Sequence, residues 1–359
     1  MCLKVAIIPW SKEYYNDQIF NTKALINVDH RLNAYDELRT FFVEKGDEIH
    51  TIDMFKNLNE VDWFLCFDYN MDFVLKLSKL GLSNRLIYCN GEPEVVNPRN
   101  SKEGYEELKK LFPYILSWND DAVDDIRIFK RINPYYFEDN DVKKISSQVA
   151  FNEKKLLTNI SGNKKSGHSK ELYSERLKVI NYFEEKHIGD FTLYGTGWSA
   201  DEHPSYEGCP HSKRDVYPKY KFALALENMK EVKGYVTEKM LDCLTLGIVP
   251  VYQGAEDIEE YVPKECFIPY DSFDSLDAMY EYLNNMSENR YMEYIEAAAR
   301  FLSDTSMKNR LSGRQYAKNI YHLIENARYE FEQDKEALKI LKIQLIKTKL
   351  GSIKRKILR

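Results

Sequence analysis

A chain of 359 residues exceeds the roughly 250–300 residues at which one hydrophobic core stops growing, so two domains are expected. Hydrophobic residues at 43% and charged residues at 30% exclude wholesale disorder and collagen-like repetition. The formal charge of −6 hides a split: Lys339 to Arg359 hold eight basic residues and no acidic one, which leaves −14 on residues 1–338 and argues against nucleic acid as a partner.

The N-terminus runs straight into the strand-like Lys4-Val5-Ala6-Ile7-Ile8, too short for a signal peptide or membrane span, so a cytoplasmic protein is expected. Strands are predicted at Val5–Ile8, Trp63–Phe67, Arg85–Cys89 and Tyr114–Trp118, with helical patterns at Leu32–Lys45 and Tyr105–Leu111. The polar stretch Asp139–Gln148 reads as a linker. A second series follows: strand Lys155–Ile160, helix Lys170–Lys186, strands Phe191–Tyr194 and Phe222–Glu227, helix Glu238–Leu246 and strand Ile248–Tyr252. Helices then run from Leu276 to about Phe331. Alternating strands and helices predict an α/β chain with largely parallel sheets, divided into domains 1–145 and 150–330 and a tail 331–359. A cleft between two such domains is the natural ligand site. The six cysteines contain no CxxC, and His203, Cys209 and His211 lack the spacing of a metal site; Asp120, Asp121, Asp124 and Asp125 resemble a metal-carboxylate cluster but, after Asn119, read better as an acid-rich helix start.

The stretch from Lys221 to Lys239 carries the most chemistry. A buried strand ends at Glu227, a polar loop with Gly234 follows, and Thr237 is a suitable N-cap for a helix with Met240, Leu241 and Leu244 on one face. A helix N-terminus beyond a strand's carboxyl end favours an anion, typically phosphate. Lys239 adds positive potential there. Without a ligand, Glu238 and Lys239 would simply be a solvated first turn. Upstream, Leu172, Arg176, Ile180 and Phe183 are spaced 4, 4 and 3, so Arg176 interrupts an apolar stripe and needs a partner unless its head reaches water.

Tyr220-Lys221-Phe222, Glu227-Asn228, Tyr235-Val236-Thr237-Glu238-Lys239, Val249-Pro250-Val251 and Gly254 resemble the signature of the family 10 fucosyltransferases. The resemblance spans about residues 85–305, through Phe191-Thr192-Leu193-Tyr194-Gly195-Thr196-Gly197-Trp198, Cys266-Phe267-Ile268 and the acceptor-side stretch Gly91-Glu92-Pro93 with Asn97-Pro98-Arg99-Asn100. It implies a GT-B architecture of two Rossmann-like domains facing a central cleft, binding GDP-fucose and an oligosaccharide acceptor, with inversion at the anomeric carbon. It implies donor contacts from Asn228, Tyr235, Val236, Thr237, Glu238 and Lys239, with Arg176 matching an arginine that meets the diphosphate. It implies Glu92 as the base, with Glu94 as the alternative, because the chain reads Glu-Pro-Glu where the family has Glu-Ser-Pro; Met229 likewise replaces a serine.

These roles are chemically coherent. A sugar hydroxyl is a poor nucleophile, so a carboxylate within hydrogen-bond reach assists by taking its proton. Arg176, Lys239 and a helix N-terminus can neutralise departing GDP with no metal and no other cofactor. The reading is therefore a fucosyltransferase acting α1,3 or α1,4 on GlcNAc. A GT-B enzyme using another nucleotide sugar, or a catalytically silent glycan- or nucleotide-binding protein, stays open. The tail alternates basic residues with aliphatics and reads as a basic amphipathic helix for the anionic inner face of a membrane; packing on the acidic body is the alternative.

Overall fold

The computed structural model describes residues 2–68 and 70–357, and for 349–357 the helical backbone alone. The chain forms two compact units: Met1–Ala24, Leu32–Ile132 and Gly313–Arg359 make the first, Leu25–Arg31 and Asn133–Ser312 the second. Each is built on one parallel sheet.

In the first unit the strands are β1 (Lys4–Ile8), β2 (Glu48–Thr51), β3 (Trp63–Phe67), β4 (Leu86–Cys89), β5 (Tyr114–Ser117) and β6 (Ile128–Lys130), in the order β2-β1-β3-β4-β5-β6. Helices α1 (Asn33–Glu44), α2 (Met71–Lys79) and α3 (Lys102–Leu108) connect them. β4 and β5 are buried at every position, which is why they read as unbroken apolar runs rather than alternations. The register pairs Ile8 with Cys66 and Phe67 with Cys89, so β1, β3 and β4 end level and the residues after them share one sheet edge.

In the second unit β7 (Lys155–Ile160), β8 (Phe191–Tyr194), β9 (Tyr220–Leu226), β10 (Val249–Gln253) and β11 (Ile268–Pro269) lie in the order β11-β10-β9-β7-β8. They are flanked by α4 (Val142–Ser146), α5 (Tyr173–Lys186), α6 (Glu238–Thr245), α7 (Leu276–Asn284), α8 (Glu288–Ser303) and α9 (Thr305–Asn309). Leu226 pairs with Gln253, which sets Glu227 beside Gly254 at the carboxyl edge. Residues 25–31 belong here through Asp29, which accepts from Ser212 Oγ and from Lys213 N at 3.2 Å, and through His30, 2.6 Å from Glu138.

The chain then returns. α10 (Gly313–Asn326) packs on α1, with Gly313 N donating to Glu37 at 2.9 Å and Arg314 paired to Glu44 at 2.6 Å. The first unit therefore reclaims residues from 313 on, whereas the sequence pattern puts them in the second up to 330. The switch between units falls after Ile132, earlier than expected, and the polar Asp139–Gln148 stretch holds α4, whose Asp141 N-cap accepts from Lys144 N at 3.1 Å.

The tail is the helix α11 (Lys335–Ile357), opened by Asp334, which accepts from the amides of Glu336 and Ala337. Within its described part Ala337 and Leu341 are buried in the first unit's core beside Leu338 and Leu345, while Ile340, Ile343 and Ile346 are about half exposed. The expected amphipathic helix is corrected to one with two apolar faces, because an inner stripe packs against α2 and an outer stripe does not. Leu358 and Arg359 lie outside the described residues.

Candidate functional site

In the second unit β9 delivers Glu227, a carboxylate with no exposed surface. Its Oε1 accepts from Thr237 N at 3.0 Å and Thr237 Oγ1 at 2.8 Å, and its Oε2 lies 3.1 Å from Lys239 Nζ. Burial pushes the Glu227 carboxyl up, and the Lys239 ammonium and the Thr237 hydroxyl pull part of the way back. Burial likewise works against the charge on Lys239, but Glu227 and Glu238 outweigh it and hold the ammonium protonated. The packing leaves no room for a side chain at Gly254, where a Cβ would stand 2.4 Å from Glu227 Cγ. Thr237 is the N-cap of α6, as expected, accepting from Lys239 N at 3.3 Å. Glu238 keeps 55% of its side chain open and lies 3.6 Å from Lys239 Nζ. Desolvation by the surrounding protein raises its pKa, but Lys239 and Lys213 outweigh that and bring the carboxyl to about 2.

Arg176 has found its partner, and it is not water. The side chain is 4% exposed, and Nη2 donates to the Leu226 carbonyl at 2.6 Å, to the Glu227 carbonyl and to Asn228 Oδ1 at 3.2 Å. Asn228 Nδ2 in turn donates to Tyr235 OH at 3.4 Å. Arg176 thus ties α5 to the end of β9, with its guanidinium 5.2 Å from the Tyr173 ring centroid and its pKa drawn down by burial. Beside it opens a pocket of about 210 Å³ lined by Gly162, Lys164 and Lys165 of the β7–α5 loop, by Ser174 and Arg176 of α5, and by Trp198. Its cations suit an anionic ligand. Tyr235 and Val236 are buried in the core, and Asn133 Nδ2 donates to the Val236 carbonyl at 3.3 Å. Met229 is buried too, its backbone bridged to Glu171.

Sequence reasoning missed a second buried pair: Lys213 Nζ lies 2.6 Å from Asp242, whose other oxygen accepts from Tyr135 OH at 2.8 Å. It also left Glu227 without a role, although a charged residue closing a run of six mostly apolar positions is a visible signal.

In the first unit Glu92 and Glu94 share the loop after β4, both partly exposed. Behind that loop Asp68, buried at the end of β3, accepts from the amides of Gly91 at 3.0 Å and Glu92 at 2.9 Å. Beyond β1, on the same sheet edge, Trp10 keeps 37% of its surface exposed, with ring centroids 4.6 Å from Tyr14, 5.3 Å from Phe67 and 6.1 Å from Tyr35. Among the described residues no group of three or more His, Cys, Asp or Glu side chains gathers as a metal would require. His203 is instead paired with Glu184 at 2.9 Å, and Asp120 with Lys130 at 2.7 Å.

Solved structures share this fold. A crystal structure of an α1,3-fucosyltransferase with GDP-fucose superposes with a TM-score of 0.54 at 15% identity over 93% of each chain. Its GDP complex gives 0.55 at 16% identity over 90% of each. A glycosyltransferase from Rickettsia africae ESF-5 gives 0.51 at 11% identity over 92% of this chain and 99% of that one. The two parallel Rossmann-like sheets are accordingly of the GT-B class. Among curated relatives, an α-(1,4)-fucosyltransferase of Arabidopsis thaliana is 38% identical over 77 residues, 21% of this chain and 19% of the relative. An α-(1,3)-fucosyltransferase B of Drosophila melanogaster is 30% identical over 103 residues, 27% of this chain and 23% of the relative. The aligned stretches thus span less than a quarter of either relative's length. The model of the family described as "Glycosyltransferase family 10 (fucosyltransferase) C-term" matches residues 152–333. That match takes in half the chain and the whole Glu227–Lys239 network, and on it the chain belongs to glycosyltransferase family 10, the fucosyltransferases.

Proposed function

We propose that this chain is an inverting fucosyltransferase that moves L-fucose from GDP-fucose to a glycan hydroxyl, in α1,3 or α1,4 linkage to GlcNAc. The observation that carries the reading is the cationic group at the end of β9 and the start of α5 and α6, inside the stretch matched to the family. In this reading Arg176 and Lys239 offset the diphosphate, Glu238 accepts from donor hydroxyls, and Asn228, Tyr235, Val236 and Thr237 shape the loop around them. Glu92 takes the acceptor hydroxyl proton as that oxygen attacks the anomeric carbon; the bond to phosphate breaks, and GDP leaves with the electron pair. One base opposite the leaving group yields inversion. The aromatic group around Trp10 suits the C–H face of an acceptor pyranose. With lysine and arginine offsetting the charge, we take the reaction to need no metal.

We also place the protein in the cytoplasm, at the membrane's inner face, with Ile340, Ile343 and Ile346 among Lys339, Lys342 and Lys347 meeting anionic lipid. Replacing those isoleucines with serine leaves Ala337 and Leu341 packed and should abolish binding to phosphatidylserine vesicles; equal binding would defeat this placement.

The test of the main reading is incubation with GDP-fucose, other GDP-sugars and UDP-sugars, each with N-acetyllactosamine-type acceptors and with products read by mass spectrometry. Transfer of fucose alone is expected. Transfer only from another donor, or none with any, would overturn it.

A further inference from the structure

The loop that presents Glu92 is fixed from beneath. Asp68 is 4% exposed, and both of its oxygens face donors. Oδ2 accepts from the successive amides of Gly91 and Glu92 at 3.0 and 2.9 Å. Oδ1 accepts from Tyr88 OH at 2.9 Å, from Asn100 Nδ2 at 3.1 Å and, at 3.5 Å, from Asn97 Nδ2. Asn100 Nδ2 also donates to the Glu92 carbonyl at 2.6 Å, and Arg131, itself buried, donates to the Asn90 carbonyl. The peptide groups on both sides of Glu92 are therefore tied, and so is the one before them. The approach is close enough that a Cβ on Gly91 would meet Asp68 Oδ2 at 2.9 Å.

We propose that Asp68 is a positioning residue for the transfer reaction, its carboxylate fixing the backbone from which Glu92 reaches the acceptor hydroxyl. The inference rests on the reading of Glu92 as the base. The chemistry asks for a carboxylate because the two backbone amides and the two carboxamide NH₂ groups facing Asp68 can only donate, and Tyr88 OH, which accepts from Asn97 Nδ2 at 3.1 Å, has its own proton to give. An amide of the same shape would turn its NH₂ either on the Gly91 and Glu92 amides or on the Nδ2 groups of Asn97 and Asn100. Either way, a donor meets donors and the loop shifts. A base has to stand about 2.6–3.2 Å from the oxygen whose proton it takes, and a displacement of about 1 Å costs on the order of 10²-fold in rate. Asp68 touches no reacting atom in this scheme; it acts through Glu92.

The experiment is a kinetic cycle on the full chain with Asp68→Asn, Glu92→Gln and the double variant. Asp68→Asn should lower kcat about 10²-fold, leave GDP affinity within twofold, and cost nothing further once Glu92 is already Gln. A merely structural role would weaken GDP binding as well and would add its full loss to that of Glu92→Gln, and that result overturns the proposal. An inactive Glu92→Gln beside a near-normal Asp68→Asn also overturns it while leaving the base reading intact. A near-normal Glu92→Gln overturns the base reading itself. If Asp68→Asn does not fold, Asn100→Ala, which frees the Glu92 carbonyl, should lower kcat about tenfold with the same absence of added loss on Glu92→Gln. Hydrogen exchange needs no variant: the Gly91 and Glu92 amides should exchange as slowly as those of β4, and fast exchange of both overturns the proposal.

Discussion

The Glu92 loop and the Glu227 loop solve related problems by different chemistry. Each follows the carboxyl end of a parallel strand, and each is organised by a buried carboxylate. Asp68 accepts its hydrogen bonds from backbone amides, a phenol and carboxamides, neutral donors, with the buried Arg131 guanidinium adding its field from nearby. Glu227 faces an amide, a hydroxyl and an ammonium. A carboxylate that spends its lone pairs on neutral donors fixes geometry. One paired with lysine also fixes where a positive charge sits and keeps that charge from being neutralised on burial. The first arrangement suits a base that must stand in one place. The second suits a site that receives a polyanion, where total charge matters more than any single contact.

Breaking the geometric side should have the largest effect. Glu92→Gln keeps the shape but cannot take a proton, so kcat should fall about 10²–10⁴-fold while GDP affinity by calorimetry stays unchanged. Glu94→Gln should cost far less; the reverse ranking would transfer the role to Glu94.

On the charge side, Arg176→Ala and Lys239→Ala each remove a cation from the proposed diphosphate site, and GDP affinity should fall by about 10–150-fold in titration calorimetry. Lys239→Ala also strands the Glu227 carboxylate, so Lys239→Ala in a Glu227→Gln background separates loss of the phosphate contact from that secondary cost. Unchanged affinity in both single variants would mean that the cations serve only the fold and that the contrast drawn above is mistaken.

Smaller effects sharpen it. Trp10→Ala should raise the acceptor KM about 2–10-fold, the scale of one aromatic contact, with the donor KM unmoved. Excess EDTA should not change turnover if, as proposed, side-chain cations do the neutralising; complete loss that only a divalent ion restores would remove the charge argument altogether.

The sequence reading recovers the strands and helices that are long and apolar: Trp63–Phe67, Lys155–Ile160 and Phe191–Tyr194 have the expected bounds, and α5 and α6 differ by a few residues. It misses β2, β6 and β11, of four, three and two residues, which are too short to show a period and exist because neighbouring strands complete their hydrogen bonds. Arg176 is legible as a charge inside an apolar stripe, but carbonyls as its partners are not, since they come from a strand 50 residues away. Asp68 carries no local signal at all. It closes a strand, as many aspartates do, and its importance appears only when β3 and β4 end level. The tail misleads because its aliphatics fall on two stripes, Leu338, Leu341 and Leu345 on one and Ile340, Ile343 and Ile346 on the other, and only the fold shows which of them is packed.

The first unit is written at both ends of the message. Its sheet is complete by Lys130, yet α10, which supplies the partners of Glu37 and Glu44, begins at Gly313. During synthesis the second unit is whole before the first receives its last pieces, and the early sheet must wait, with the flank of α1 uncovered, for 180 residues to leave the ribosome. A chain truncated after Ser312 should accordingly hold a protease-resistant second unit beside a first unit still open to cleavage.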